Sequence, residues 1–261
     1  MIVRTLAALI LSISAYTLAQ AKDITAAELK AAFQNNPDVL VEAIRNNRKE
    51  IFDVLSQAGM EEQARRQKEA AEEEKKAFEE SFKNPLKPAI DDKTRFRGEK
   101  DAKYTLVEYS DFQCPYCVRG FQTAESLREK YGKDLRFIFK HLPLPFHPFA
   151  MPAAQWLEAV ALQSPEKAWK FHDALFANQE KLGSDFFKAT AKDLGVNVEK
   201  CEKDAESQTV KDRIAADMAE AQAYGFSGTP GFLLNGIPVR GAYPAEYFDA
   251  IIKKLDDTKT K

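Results

Sequence analysis

The stretch "YTLVEYSDFQCPYCVRGFQTAESLREKYGKDLRFIFKH" (104–141) changes its periodicity twice. "YTLVEY" (104–109) is a run of β-branched and aromatic residues, the composition of a buried strand. From Cys117 onward apolar residues recur at helical spacing, at Phe121, Ala124, Leu127 and Tyr131, and Gly132 stops the helix. In "DLRFIFKH" (134–141), Leu135, Phe137 and Phe139 alternate with Arg136 and Lys140, which reads as a second strand. Strand, helix and strand this close together make a βαβ unit with parallel strands.

Cys114 and Cys117 sit where the first strand hands over to the helix, separated by Pro115 and Tyr116. The first turn of a helix carries unpaired N–H groups and the positive end of the dipole, so it stabilises a thiolate. Pro115 fits that turn, because its missing N–H is not needed there. Cys114 is therefore expected to be the exposed nucleophile and Cys117, on the apolar face, the buried resolving thiol. A zinc site needs further ligands, and the chain offers only the scattered His141, His147 and His172. A c-type haem needs His after the second cysteine, where Val118 stands. A structural disulfide closing so short a loop removes little unfolded-state entropy. A reversible redox pair is left as the reading.

The whole chain is compatible with that chemistry. It has 261 residues, with 38 Lys plus Arg against 40 Asp plus Glu, so nothing suggests a nucleic-acid partner. Arg4, the apolar "LAALILSISAYTLA" and "AQA" (19–21) form an export signal, expected to be cleaved after Ala21. The expected location is the periplasm, an oxidising compartment. Three cysteines are too few for a disulfide-stapled domain. Cys201, in a helical pattern that wants an apolar residue, reads as a buried core thiol, with a third redox cysteine as the alternative.

Farther along, "GFLLNGIPVRG" (231–241) is two short apolar runs around Asn235-Gly236, a type I′ hairpin signal, and "PAEYFDAIIKKL" (244–255) is an amphipathic closing helix. Residues 149–226 show only helical periodicity, broken at Gly183, Gly195 and Gly225. The order is βαβ, a helical insertion, then ββα. "LVEYSDFQCPYC", "FKHLPLPFHPFAMPAA", "KFHDALFANQ" and "GTPGFLLNG" (228–236) together resemble the thioredoxin-fold disulfide oxidoreductases of the DsbA family, over roughly residues 88–256.

The resemblance implies an α/β thioredoxin fold with a helical insertion. It implies a cis peptide bond before Pro230, facing the cysteine pair, with the Thr229 backbone free to pair with an extended substrate. It also places an acid at Glu108, where a buried carboxylate can take the proton of Cys117, the alternative being a solvent-facing Glu108. Asp111, Gln113 and Arg119 flank the pair without an assigned role, and packing or hydrogen bonding is expected of the three histidines. No dissociable cofactor and no metal are expected.

Residues 22–84 lie outside this pattern. "ITAAELKAAFQNNPDVLVEAIRNNRKEIFDVL" (24–55) holds two amphipathic pieces broken near Pro37, with a seam of Leu40, Ile44, Ile51 and Val54 and Asn47 at a core-type position. "MEEQARRQKEAAEEEKKAFEESF" (60–82) is a charged helix, with Glu61–Arg65, Glu62–Arg66 and Glu72–Lys76 at i,i+4 spacing. "KNPLKPAIDD" (83–92) is a proline-punctuated joint, so the catalytic domain is expected to run over 85–261. The seam either folds back on its own chain or joins chains through residues 22–60 into a homo-oligomer, as in the suppressor-of-copper-sensitivity and disulfide-isomerase relatives that the extension resembles. The expected activity is thiol–disulfide exchange on unfolded or misoxidised secreted proteins, served by a membrane redox partner. Oxidase and isomerase or reductase remain open, and the alternative class is a chaperone or copper-binding protein with the cysteines as a Cu(I) pair.

Overall fold

A computed structural model describes residues 25–92 and 94–259. The expected signal segment, 1–21, lies outside them. The described residues divide into two compact units between Glu72 and Glu73.

The first unit is helical. Thr25 and Glu28 form a reciprocal capping box on α1 (Ala26–Asn35). Pro37 opens α2 (Pro37–Asn46), and α3 runs over Arg48–Ser81. The chain breaks at Asn47 as well as near Pro37. Asn47 ends α2, and its side-chain amide donates to the Ala43 carbonyl at 2.9 Å. This residue therefore caps a helix instead of sitting in a continuous core-type position, because a short amide competes for backbone bonds. The seam is split, Leu40 and Ile44 on α2 and Ile51 and Val54 on α3. Leu40, Ile44 and Val54 are exposed, and neither α1 nor α2 has a buried residue. On α3, Arg66 pairs with Glu62 as its spacing predicts, whereas Arg65 turns to Glu62 and Glu69 instead of Glu61.

The last turns of α3 belong to the second unit. Phe78 meets Tyr247 at 6.3 Å, and the Lys254 ammonium lies 4.3 Å from the centre of the Phe82 ring. The proline-punctuated segment that follows is tied down. Leu86 donates its N–H to the Gly236 carbonyl at 3.0 Å, and Tyr224 donates its hydroxyl to the Lys87 carbonyl at 2.6 Å.

The second unit contains β1 (Tyr104–Ser110), α4 (Pro115–Tyr131) and β2 (Leu135–His141). An insertion of five helices follows: α5 (Ala150–Gln163), α6 (Pro165–Ala177), α7 (Ser184–Asp193), α8 (Val198–Ala205) and α9 (Gln208–Ala223). The chain closes with β3 (Gly231–Leu234), β4 (Ile237–Arg240) and α10 (Ala245–Lys259). This is the expected βαβ…ββα order with its insertion. The strands lie in the order β2-β1-β3-β4, with β1 parallel to β2 and antiparallel to β3. Asn235 and Gly236 both take positive φ, 49° and 86°, as a type I′ turn requires. The outer edge of β2 is bridged by Arg97, which exchanges two backbone hydrogen bonds with Phe137 at 2.8 and 2.9 Å. The opposite edge is the short β4, which carries Pro238.

Strand alternation assigns the faces. Leu106, Glu108 and Ser110 share one face of β1. Leu106 joins a core with Cys117, Ala124 and Leu127 of α4 and Phe248 and Ile251 of α10. Val107 and Tyr109 face the other way, into a core with Ile138, Phe226 and Ala221 of α9. Lys140 lies on that second face and is 2% exposed, where alternation alone places it in solvent. Its ammonium is paired with Glu220 and donates to the Ala89 carbonyl at 2.9 Å. Burial of a lysine is sustained by such pairing.

Candidate active site

The site is built where β1 ends and α4 begins. Asp111 orders the connecting loop. Its carboxylate accepts from the Gln113 N–H at 2.7 Å, the Leu144 N–H at 2.8 Å and His147 Nδ1 at 2.7 Å. Cys114 is then the residue that caps α4, in extended conformation, and Pro115 is the first helical residue. Tyr116 projects outward, 57% exposed, with the Arg119 guanidinium 4.8 Å from its ring centre.

Both cysteines are free thiols. Cys114 is not the exposed thiol expected of it but is buried, at 4%, with the Thr229 carbonyl against its sulfur; Cys117 is at 0%. The Cys117 thiol donates toward the Cys114 sulfur, and this above all lowers the Cys114 thiol to about 5 against an opposing effect of burial. Thr229 and the Cys117 and Tyr116 amides lower it further. As a thiol, Cys114 donates to the Thr229 carbonyl at 3.6 Å. Cys117 is pushed strongly upward, first by burial, then by its bond to Cys114 and by the charge of Glu108. The two thiols thus have opposed proton affinities, the division of roles that a nucleophile and a resolving thiol require.

The Thr229-Pro230 bond is cis, as the resemblance implies. Pro230 and Glu108 meet at Gly120 on α4. A Cβ on Gly120 would lie 3.0 Å from Pro230 Cγ and 3.1 Å from Glu108 Oε1. Glu108 is fully buried and does not face solvent. Burial raises its carboxyl to about 8, with Ser110 offsetting a little and Glu125 adding to the rise. Neither Glu108 oxygen, nor the Ser110 or Thr229 hydroxyl, makes a well-formed hydrogen bond within the described residues. Such buried, unsatisfied polar atoms are costly and mark functional places.

The expected residues Cys114, Cys117, Thr229, Pro230 and Glu108 are therefore brought together at the start of α4. The histidines bond and pack instead. His141 Nε2 lies 2.8 Å from Glu158, and His147 binds Asp111. His172 is buried among Phe112, Phe139 and Phe176, and burial lowers it to about 4. Cys201 is buried in α8, its thiol pushed up to about 11 by burial. Among the described residues no group of three or more His, Cys, Asp or Glu side chains is placed to hold a metal.

Sequence reasoning assigned nothing to Asp111 or Gln113 and missed Gln179. Gln179 follows α6 in a short 3₁₀ turn, and its amide donates to the Phe112 carbonyl at 2.7 Å and to the Cys114 carbonyl at 2.9 Å. Its place at the end of "KFHDALFANQ" is the one signal that pointed to it.

Comparison with known proteins agrees with this architecture. The family model Thioredoxin_4, described as Thioredoxin, matches residues 90–254. The Na(+)/H(+) antiporter NhaA of Herminiimonas arsenicoxydans is 37% identical over 169 residues, covering 65% of this chain and 26% of the antiporter. The chain spans about a quarter of the length of the curated relatives it matches. No helix among the described residues is long and apolar enough to cross a membrane. Among solved structures, a thioredoxin-like oxidoreductase from Silicibacter pomeroyi DSS-3 has 25% identity and a TM-score of 0.56, with 64% of this chain and 94% of that one covered. The catalytic domain of Proteus mirabilis ScsC has 25% identity and a TM-score of 0.55, with 63% and 90% covered.

Proposed function

This chain belongs to the thioredoxin family, and from that premise we propose that it exchanges thiols and disulfides with protein substrates through Cys114 and Cys117. It is a protein thiol:disulfide oxidoreductase. The observation that carries the reading is geometric: Cys114 caps α4 with its sulfur 3.6 Å from the carbonyl of the cis-bonded Thr229, and Cys117 lies buried behind it in the first turn.

The Cys114 thiolate attacks a substrate disulfide. The substrate S–S bond breaks, one substrate thiolate leaves and a mixed disulfide forms. Cys117 gives its proton to the ionised Glu108 and attacks the Cys114 sulfur. The mixed disulfide breaks, the second substrate thiolate leaves, and the substrate has gained two electrons while Cys114–Cys117 is oxidised. Run backward, the same steps oxidise a dithiol. Thr229 offers backbone for an extended substrate. Exposed Tyr116, Phe146, Phe149 and Met151 give apolar contact near Cys114, suited to an unfolded or misoxidised chain.

The setting is the periplasm, where a membrane redox partner recharges the pair. Residues 22–60 join chains into a homo-oligomer. The exposed Leu40, Ile44 and Val54, on helices with little of their own to cover them, support this part. Joined subunits hold several cysteine pairs near one substrate at high effective concentration.

Trapping tests the central claim. Cys117→Ala should accumulate reductant-sensitive mixed disulfides through Cys114, and Cys114→Ser should abolish exchange. No adducts from the first variant, with activity kept by the second, would overturn the roles. Alkylation of the pair inside cells gives the direction: oxidised for an oxidase, reduced for an isomerase or reductase.

A further inference from the structure

We infer that Gln179 is a positioning residue through which the helical insertion sets the proton affinity of Cys114. Its side-chain NH2 bridges the carbonyls of Phe112 and Cys114, at 2.7 and 2.9 Å, and so spans the turn that delivers the nucleophile. The same Cys114 carbonyl accepts the first bond of α4, from the Cys117 N–H at 3.0 Å. Gln179 therefore fixes the plane of the peptide that starts the helix. That plane governs how the Tyr116 and Cys117 amides stand toward the sulfur. A second amide makes the reverse stitch: Gln113 Oε1, on the turn, accepts from the Phe149 N–H at the entry to the insertion, at 2.7 Å. Two glutamines thus lace the turn to a body of five helices that contributes neither cysteine.

The consequence is a coupling. Fixed amide dipoles near a developing charge act through orientation, and small rotations change their effect. A substrate that shifts the insertion alters the Gln179 bridge and, through it, the ease with which Cys114 ionises. The inference rests on the reading of Cys114 as the low-affinity nucleophile.

The test uses the full reduced chain. Gln179→Met keeps the length and removes the donors. Titration of the thiolate by its ultraviolet absorbance should show the Cys114 midpoint raised by about one unit, and alkylation near the parent midpoint should slow correspondingly. Gln163→Met is the control. It breaks bonds of the same kind inside the insertion, to the Asn197 carbonyl at 3.0 Å and to Cys201 Sγ at 3.1 Å, and should leave the midpoint unmoved. A measurement on the unaltered protein covers the case of a variant that does not fold: the Gln179 side-chain amide resonance should titrate with the Cys114 midpoint. A flat Gln179 resonance, or an unmoved midpoint in folded Gln179→Met, overturns the inference. A parent Cys114 midpoint near that of an ordinary thiol instead overturns the proposed roles of the cysteines.

Discussion

Replacing Glu108 with Gln should change how stability depends on pH, by an amount the burial of its carboxyl sets. The group is fully buried, and its proton affinity is raised from 4.5 to about 8. A carboxyl raised on folding adds stability that is fully present below 4.5 and is lost as pH climbs through 8. The span is about 3.5 units at about 1.4 kcal/mol each, which bounds the loss at about 5 kcal/mol. Water entering the site would reduce it, so about half that value is a reasonable floor. Cys114, lowered to about 5, and His172, lowered to about 4, contribute with the opposite sign. The informative quantity is therefore the difference between parent and Glu108→Gln, in which those contributions cancel. Denaturant unfolding of the reduced protein from pH 4 to 9 measures it. The variant should lose relative advantage at low pH and gain steadily above about pH 5. A difference that stays flat within about 0.5 kcal/mol across the range, small against the usual scatter of additive effects, would refute the reasoning. In stopped-flow kinetics the same variant should slow resolution by Cys117 and spare the first attack.

Gly120→Ala places a methyl against Pro230, Glu108 and Phe232. Helix propensity alone forecasts a gain of about 1 kcal/mol, whereas crowding forecasts a loss of about 1–3 kcal/mol together with slower exchange, so the sign in a denaturant melt decides. Lys140→Met leaves Glu220 and Asp217 without their buried cation; it should cost about 3–5 kcal/mol, partly recovered by adding Glu220→Gln, and an additive double variant would contradict the pairing. Asp at both Ile44 and Ile51 should split an oligomer into monomers by light scattering; a monomeric mass for the parent at micromolar concentration would remove the case for the seam.

How far the sequence carried depended on whether a feature was periodic or local. The strands, α4, the Asn235-Gly236 turn and the closing helix each announce themselves within a dozen residues, through alternation, helical spacing or turn chemistry. Cys114 and Cys117 are legible for the same reason, since the helix start and the thiols are neighbours in the chain. The burial of Lys140 is not legible in the strand pattern, because alternation within β2 carries no information about α9, whose Glu220 lies 80 residues away. Asn47 was read as part of a seam, although its own backbone bonds make it a helix end. Gln179 reaches the Phe112 and Cys114 carbonyls across 67 and 65 residues, and Gln113 reaches Phe149 across 36, and no spacing rule records such pairs.

The edges of the sheet bear on a hazard of the proposed trade. A protein that handles unfolded chains is surrounded by loose segments able to pair with any open strand. Here the β2 edge is bridged at its Phe137 by Arg97, and β4 is short and interrupted by Pro238, which withholds an N–H from any newcomer. Strand addition is thereby discouraged at both sides of the sheet. On the function proposed above, a client strand would pair instead at Thr229, whose carbonyl lies 3.6 Å from the sulfur of Cys114, to be worked on and released rather than accumulate as the first layer of an aggregate.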